Sequence, residues 1–319
     1  MLVEPVFIVG CPRSGTSLLS RLLRGVDEYR STPNNPEMVW QRYLHPKLRG
    51  WRSDEIHVRD IEDIDVDEIA RELDALALPA DVWRLADSKM GQRLVRRLRK
   101  GWMRGVGTRA GAWLSASSAV RGRTEGRAIL DKSVTNLIRL PLLERMAKHA
   151  RYVYVKRNPR SNILSLMAGW QSGEFGSYRV PERLRIEGYS GDEWCFHLID
   201  GWRNLAEAGL EEVCLQQVRR AHEKFAGDVA ALGVTDRVFE IKLEVLVEET
   251  AGALRSLSEF LGLSYDRYFA AYEVGLPRVN PTSGKIERRR YEELQRSNEN
   301  RLARMEGRVR KLEHALGYS

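Results

Sequence analysis

The apolar residues of this chain follow two patterns that alternate along its length. Short runs rich in β-branched and aromatic residues predict buried strands at 7–9, 128–132, 150–157 and 237–243. Between these runs, apolar residues recur on one helical face, as they do in 18–23 and 254–261. Strands that alternate with helices predict an α/β fold, in which a parallel β-sheet is flanked by helices on both faces.

The same pattern bears on domain organisation. We find no internal repeat and no clean linker, and 319 residues suit one large domain. We therefore expect residues 1–319 to form a single domain with helical insertions. Longer helices are predicted at 65–76, 135–149, 192–232 and 287–316. The glycine-rich segment 172–191 is predicted to be a mobile surface loop or lid.

The first predicted strand leads into a glycine-containing loop and then directly into a helix. Gly10 ends the strand, Gly15 precedes the helix, and Arg13 lies between them. The start of a helix presents unpaired backbone N–H groups at the positive end of its dipole, which favours phosphate binding. The spacing of Gly10 and Gly15 matches a Walker A loop, but Thr16 stands where that motif has its lysine. The loop therefore predicts phosphate binding of a different kind.

This segment resembles the loop of sulfotransferases that use 3′-phosphoadenosine 5′-phosphosulfate (PAPS). In that family a Lys or Arg precedes Ser-Gly-Thr-Thr/Ser and binds the 5′-phosphosulfate. The resemblance implies a P-loop-like sheet, PAPS as donor and 3′-phosphoadenosine 5′-phosphate (PAP) as product. It also implies that donor binding involves Pro12, Arg13, Ser14, Gly15, Thr16 and Ser17.

Two further segments resemble parts of the donor site in the same family. The family places an arginine at a strand end and a serine eight positions later, and here these are Arg157 and Ser165. A serine about two turns into the helix can reach a phosphate that the strand-end arginine also binds. Later in the chain, Ser283, Gly284 and Lys285 resemble a basic loop over the 3′-phosphate and adenine; a plain surface turn is the alternative.

The resemblance also suggests residues for catalysis. Lys132 lies in a segment that matches Glu/Asp-Lys-Thr/Ser in bacterial members, where a basic residue can contact the transferring sulfuryl group. Glu37 follows Arg13 by 24 residues, as does the general base of members that act on sugars or tyrosines. Members that act on steroids and phenols use a histidine instead, so His45 and His57 remain alternatives for the base.

Composition and charge narrow the class of protein, its ligands and its location in the cell. A hydrophobic content of 43% and a charged content of 30% are typical of a soluble globular protein. The net charge of +8 favours anionic ligands. No apolar run approaches the roughly 18–20 residues of a membrane span. The cysteines are few and scattered, at 11, 195 and 214, which argues against disulfides or a zinc site and favours a cytoplasmic protein.

The sequence thus predicts sulfuryl transfer from PAPS to a hydroxyl of a carbohydrate, a glycolipid or a small natural product. Glu37 is expected to act as general base, and Arg13 and Lys132 to stabilise the transferred charge, with no metal. A phosphotransferase that uses ATP is the alternative enzyme. A basic nucleic-acid-binding protein is the alternative from another class, although the arginines are dispersed and form no recognised motif. The identity of the acceptor and the oligomeric state stay open.

Overall fold

A computed structural model of the chain describes residues 1–87, 126–276 and 287–318. Its strands are β1 (Leu2–Val3), β2 (Val6–Val9), β3 (Tyr29–Ser31), β4 (Leu78–Pro79), β5 (Ala128–Lys132), β6 (Ala147–Lys148), β7 (Arg151–Lys156), β8 (Gly176–Tyr178), β9 (Trp194–Cys195) and β10 (Val238–Lys242).

The helices lie mostly between these strands. They are α1 (Thr16–Leu23), α2 (Glu37–Leu44), α3 (Val66–Leu76), α4 (Ala80–Asp87), α5 (Leu140–Met146), α6 (Pro159–Ser172), α7 (Leu210–Leu232), α8 (Leu243–Glu248), α9 (Thr250–Leu261), α10 (Tyr265–Tyr268), α11 (Arg288–Ala303) and α12 (Glu306–Ala315). Short 3₁₀ turns add Pro46–Arg49, Val58–Asp63, Val134–Ile138, Trp202–Leu205, Thr235–Arg237 and Ala270–Tyr272.

Within the described residues, the main sheet has six strands in the order β10-β7-β2-β5-β3-β4. All neighbouring strands pair in parallel except β3 and β4, which are antiparallel. The carboxyl ends of the parallel strands therefore meet at one edge of the sheet, which is where such sheets bind ligands. β2 ends at Val9, β5 at Lys132 and β7 at Lys156.

Apolar side chains cover both faces of the central strands. Along β2, Phe7 and Val9 pack into one hydrophobic cluster, whereas Val6 and Ile8 pack into another. This alternation follows from the two-residue period of a strand, which sends successive side chains to opposite faces. Helices α1 and α9 cover the second cluster, and α5, α6 and α7 contribute to the first. The predicted P-loop-like α/β fold, a parallel sheet with helices on both faces, is confirmed.

The predicted strands and the helix that Asp65 caps agree with the structure. Asp65 accepts a hydrogen bond from the backbone N–H of Glu68 at 2.9 Å, and α3 follows it to Leu76. Strands β3 and β4 were not predicted, because each has only two or three residues. Patterns this short carry no periodicity that separates a strand from a loop.

Three of the predicted helices are interrupted. The helix expected over 192–232 begins only at Leu210, because Gly209 before it has an extended backbone, with φ of −71° and ψ of 148°. The helix expected over 135–149 divides into a 3₁₀ turn and α5, where Pro141 lacks the N–H that a continuous helix needs. The C-terminal helix expected over 287–316 breaks at Met305, whose φ is −112°, into α11 and α12.

The segment 172–191 follows α6, which ends at a left-handed Gly173. Its strand β8 pairs antiparallel with β9, so the two form a small ribbon that is separate from the main sheet. Its role as a lid stays a prediction. Over 1–87, 126–276 and 287–318, no helix has both the length and the apolar character that crossing a bilayer requires.

Candidate functional site

The loop between β2 and α1 is compact, and its glycines are required by close contacts. A Cβ atom on Gly10 would lie 2.7 Å from the carbonyl oxygen of Val155, which cannot move without disturbing β7. Gly15 has φ of 101°, and a Cβ there would lie 2.5 Å from Leu243 Cδ1. Arg13 also adopts a left-handed φ, of 70°. Only glycine meets both the steric and the conformational requirement at position 15.

This loop has donor groups that suit a phosphate. No described side chain caps α1, and no acidic residue lies in its first turn, so its N-terminal N–H groups retain their capacity to bind an anion. The Ser14 hydroxyl is fully buried, and its Oγ has no hydrogen-bond partner among the described residues. Thr16 is buried and Ser17 half-buried beside it. The loop therefore fits an anionic phosphate or phosphosulfate group.

Two side chains from the strand–helix unit β7–α6 hold the backbone of this loop. Arg157 Nη1 donates to the carbonyl oxygen of Arg13 at 2.8 Å. Asn162 Nδ2 donates to the carbonyl oxygen of Pro12 at 2.8 Å. These two carbonyls are thus used within the protein, and the Ser14 N–H donates to the carbonyl oxygen of Cys11 at 3.0 Å. A ligand would therefore be bound mainly through the N–H groups at the start of α1.

Ser165 on α6 lies at the centre of a second set of contacts. Its buried Oγ accepts a hydrogen bond from Arg13 Nε at 3.3 Å and one from Tyr291 Oη at 2.7 Å. The Arg13 guanidinium lies over two aromatic rings, 5.1 Å from the ring centre of Phe175 and 5.8 Å from that of Tyr291. Residues from the loop, α6, the 172–191 segment and α11 therefore meet around Arg13.

The electrostatics of Arg13 reflect this crowding. Burial lowers the pKa of Arg13, the adjacent Tyr291 opposes that effect, and the neighbouring charge of Arg157 lowers it further. Two guanidinium groups held close together raise the local positive potential. A bound anion nearby offsets the repulsion between the two groups.

Lys132, at the carboxyl end of β5, is buried with only 3% of its surface exposed. Its Nζ donates to Asn35 Oδ1 at 3.0 Å. Asn35 lies in the loop that joins β3 to α2, and the neighbouring Asn34 accepts a hydrogen bond from Ser20 of α1 at 2.9 Å. The loop between β3 and α2 thus contacts both β5, through Asn35, and α1, through Asn34.

Glu37 is the first residue of α2 and is half-buried. Burial raises the pKa of the Glu37 carboxyl, and the charge of Asp54 raises it further, while the charges of Arg139 and Lys132 oppose that change. A hydrogen bond from Gln41 also lowers the pKa. A carboxylate with a raised pKa is a better proton acceptor than an ordinary glutamate, so Glu37 suits general base catalysis.

The two histidines named as alternatives have different surroundings. The His45 ring meets the Tyr178 ring edge-on, with centres 5.3 Å apart, and burial lowers the pKa of His45. Tyr178 Oη in turn donates to Asp54 Oδ1 at 2.7 Å. His57 Nε2 instead lies 3.9 Å from a carboxylate oxygen of Glu55, with an exposed side chain. Of the two, His45 shares the Asp54 neighbourhood with Glu37.

The structure thus brings together Arg13, Arg157 and Ser165, and it places Lys132 and Glu37 around the loop that contains Asn35. Ser283, Gly284 and Lys285 lie outside the described residues. Sequence reasoning missed four residues that complete these contacts: Asn35, Asn162, Phe175 and Tyr291. Tyr291 had one usable signal, as the single aromatic residue in the charged helix α11. Asn35, Asn162 and Phe175 had no such signal, because the sequence around each of them is typical of ordinary loop or helix residues.

Comparison with known proteins gives three results. The family model described as "Sulfotransferase family" matches residues 5–267. No curated protein matches the chain. The chain is similar to several solved structures, at low identity.

The sulfotransferase domain from the curacin biosynthetic pathway is 17% identical, with a TM-score of 0.46, and the match covers 88% of this chain and 83% of that one. The sulfotransferase from Alicyclobacillus acidocaldarius is 16% identical, with a TM-score of 0.41, and covers 96% of each chain. Mouse sulfotransferase SULT7A1, solved with PAP, is 10% identical, with a TM-score of 0.34, over 94% of this chain and 66% of that one.

Proposed function

Because the chain belongs to the sulfotransferase family, we propose that it transfers a sulfuryl group from PAPS to a hydroxyl of a carbohydrate, a glycolipid or a small natural product.

Residues 1–319 would act as one domain, since α11 and α12 pack against α6, the helix that carries Ser165. The three cysteines are buried and none forms a disulfide, which favours the cytoplasm as the place of action.

The main support for this proposal is the contact of Arg157 and Ser165 with Arg13. Arg157 and Ser165 contact the main chain and side chain of Arg13, although they lie 144 and 152 residues further along the sequence. A strand-end arginine and a helix serine therefore lie beside a loop that fits a phosphate. A doubly phosphorylated adenosine needs such an arrangement, with one set of donors for each phosphate. Ser283, Gly284 and Lys285 stay predicted contributors to the 3′-phosphate side.

Donor binding follows from the groups already described. The N–H groups of the loop, with Ser14, Thr16 and Ser17, would hold the 5′-phosphosulfate. Arg157 and Ser165 would hold the 3′-phosphate, with Tyr291 orienting the serine hydroxyl. PAPS itself supplies the activated sulfuryl group, attached to a phosphate that is a good leaving group.

In the proposed transfer, the acceptor oxygen forms the new S–O bond as the bond between sulfur and the 5′-phosphate oxygen breaks. The electron pair of the broken bond stays on the phosphate of PAP, and the acceptor proton goes to the Glu37 carboxylate. Arg13 and Lys132 would neutralise the charge that shifts onto the sulfuryl and phosphate oxygens. Their burial makes that interaction stronger than it is in water.

The test is a transfer assay with ³⁵S-labelled PAPS and a panel of hydroxylated acceptors, together with calorimetric titration of PAP. We expect PAP binding and label transfer to at least one acceptor class. ATP with magnesium serves as the comparison ligand, and it should stabilise the protein less than PAP in a thermal-shift measurement. Absence of both PAP binding and transfer, with ATP–magnesium bound instead, would favour the phosphotransferase.

A further inference from the structure

The loop between β3 and α2 contains a residue in an unusual conformation. Asn35 has φ of 52°, in the left-handed region that only glycine adopts readily. Asparagine tolerates this region better than other side chains do, but the conformation still needs support from its surroundings. The contacts of Asn35 show what that support is and which neighbours it reaches.

Asn35 makes four hydrogen bonds that reach in two directions. Its Oδ1 accepts from Lys132 Nζ at 3.0 Å and from the backbone N–H of Val134 at 3.3 Å. Its own N–H donates to the carbonyl oxygen of Lys132 at 2.9 Å, and its carbonyl accepts from the N–H of Glu37 at 2.7 Å. Asn35 is thus bonded directly to both Lys132 and Glu37, which lie 95 residues apart in the sequence.

The bond to Lys132 also sets the direction of that side chain. An ammonium group has three N–H donors, and Asn35 Oδ1 accepts one of them. With that donor fixed, the buried amine has a defined direction. The left-handed turn at Asn35 at the same time fixes where α2 begins and hence the point from which the Glu37 side chain extends.

We propose that Asn35 is a positioning residue that holds Lys132 and Glu37 at a fixed spacing on the two sides of the reacting groups. This inference rests on the proposed function, because it assigns Lys132 to the sulfuryl group and Glu37 to the acceptor. The amide oxygen orients the amine, and the backbone turn orients the base. Transfer between two bound substrates depends strongly on such spacing, since a 1 Å error can cost about 100-fold in rate.

Asn35→Gly is the most informative variant, because glycine keeps the left-handed backbone and removes only the amide. We expect it to lower kcat about 100-fold, while the KM for PAPS and the affinity for PAP stay close to those of the native protein. Asn35→Asp keeps an acceptor oxygen for Lys132 but sets a negative charge against its amine, which opposes the charge-neutralising role of Lys132, so we expect its kcat to stay low as well. Asn34→Ala, the matched control, removes one bond from the same loop and should retain kcat.

A second measurement needs no acceptor. Trace acetylation with acetic anhydride, followed by mass spectrometry, reports the reactivity of each lysine. In Asn35→Gly, labelling of Lys132 should rise severalfold relative to the exposed Lys47, and Asn34→Ala should leave that ratio unchanged. Unchanged labelling of Lys132 would overturn the inference, whether or not the protein transfers sulfate.

The two experiments separate the failure of the inference from that of the proposed function. If the native protein transfers no sulfuryl group, the proposed function fails, and labelling still tests the Asn35–Lys132 contact. If the native protein is active and Asn35→Gly keeps its kcat, the positioning role is wrong. A loss of PAP affinity and thermal stability in Asn35→Gly, without a larger loss of kcat, would make Asn35 a purely structural residue and would also overturn the proposal.

Discussion

Arg139 and Asp54 form an ion pair at 2.9 Å in which the two side chains are 2% and 0% exposed. Asp54 is also bound by the Tyr178 hydroxyl and by the N–H of Leu198, each at 2.7 Å. The pair therefore joins the loop before α5 to the 172–191 segment and to the residues that precede α7. Both charges also act on the Glu37 carboxyl: Arg139 lowers its pKa, and Asp54 raises it.

Removing one partner of this pair should be costly. Arg139→Met leaves Asp54 buried without its counter-charge, and we expect the free energy of unfolding to fall by about 3–5 kcal/mol. Urea denaturation measures that change. The exposed pair of Arg185 and Glu207 gives a control, because Arg185→Met should cost at most about 1 kcal/mol. Equal losses in the two variants would mean that the buried pair has no special structural role.

Glu37 gives a prediction about pH. A base must be ionised, and burial raises the pKa of Glu37 above its ordinary 4.5, so kcat/KM should fall as the pH drops through that raised pKa. Glu37→Gln should lower kcat by about 10²–10⁴-fold while PAP affinity is retained. In Arg139→Met the acid limb should move to higher pH, because a charge that lowers the pKa is lost.

The matched control for this prediction is His45→Asn. It should keep turnover and the acid limb of the profile, because Glu37, and not His45, takes the acceptor proton in the proposed transfer. Retained turnover in Glu37→Gln, together with loss in His45→Asn, would assign the base to the histidine.

Arg157 gives a prediction about the donor. Arg157→Ala removes a guanidinium that contacts the loop, and a charged hydrogen bond is worth about 1.5–3 kcal/mol. We therefore expect PAP affinity to drop by about 10–100-fold by calorimetry. Arg160→Ala is the control, because the half-buried Arg160 pairs with Glu299 and Glu306 and not with the loop, so PAP affinity should stay unchanged. Similar losses in both would indicate only a general effect of positive charge.

Gly15 gives a prediction about the loop itself. Gly15→Ala forces a Cβ into the left-handed region and against Leu243, and we expect a loss of about 1–3 kcal/mol in stability together with weaker PAP binding. Gly227, inside α7, has open space around it, so Gly227→Ala should stabilise the protein by about 0.5–1 kcal/mol. Thermal unfolding compares the two directly, and a stable, PAP-binding Gly15→Ala would contradict the requirement for glycine.

Much of the fold follows from local patterns. The apolar run at Val6–Val9 and the helical face at 18–23 each indicate their element without reference to any other part of the chain. Errors occur where single residues leave the helical conformation, as at Gly209 and Met305. A helix propensity summed along the sequence does not register one residue with non-helical backbone angles, and the interruptions were therefore missed.

The sequence by itself determined the strand–loop–helix unit around Gly10–Thr16. It also determined the alternation of strands and helices that predicts a mostly parallel sheet, and the family resemblance carried by Arg157 and Ser165. Only the tertiary structure decided that Tyr291 bonds Ser165 and that Asn35 links Lys132 to Glu37. The physical reason is distance along the chain, because periodicity reports neighbours within a few residues. The Tyr291–Ser165 and Asn35–Lys132 bonds join residues 126 and 97 apart, which only the packing of the sheet and its helices brings together.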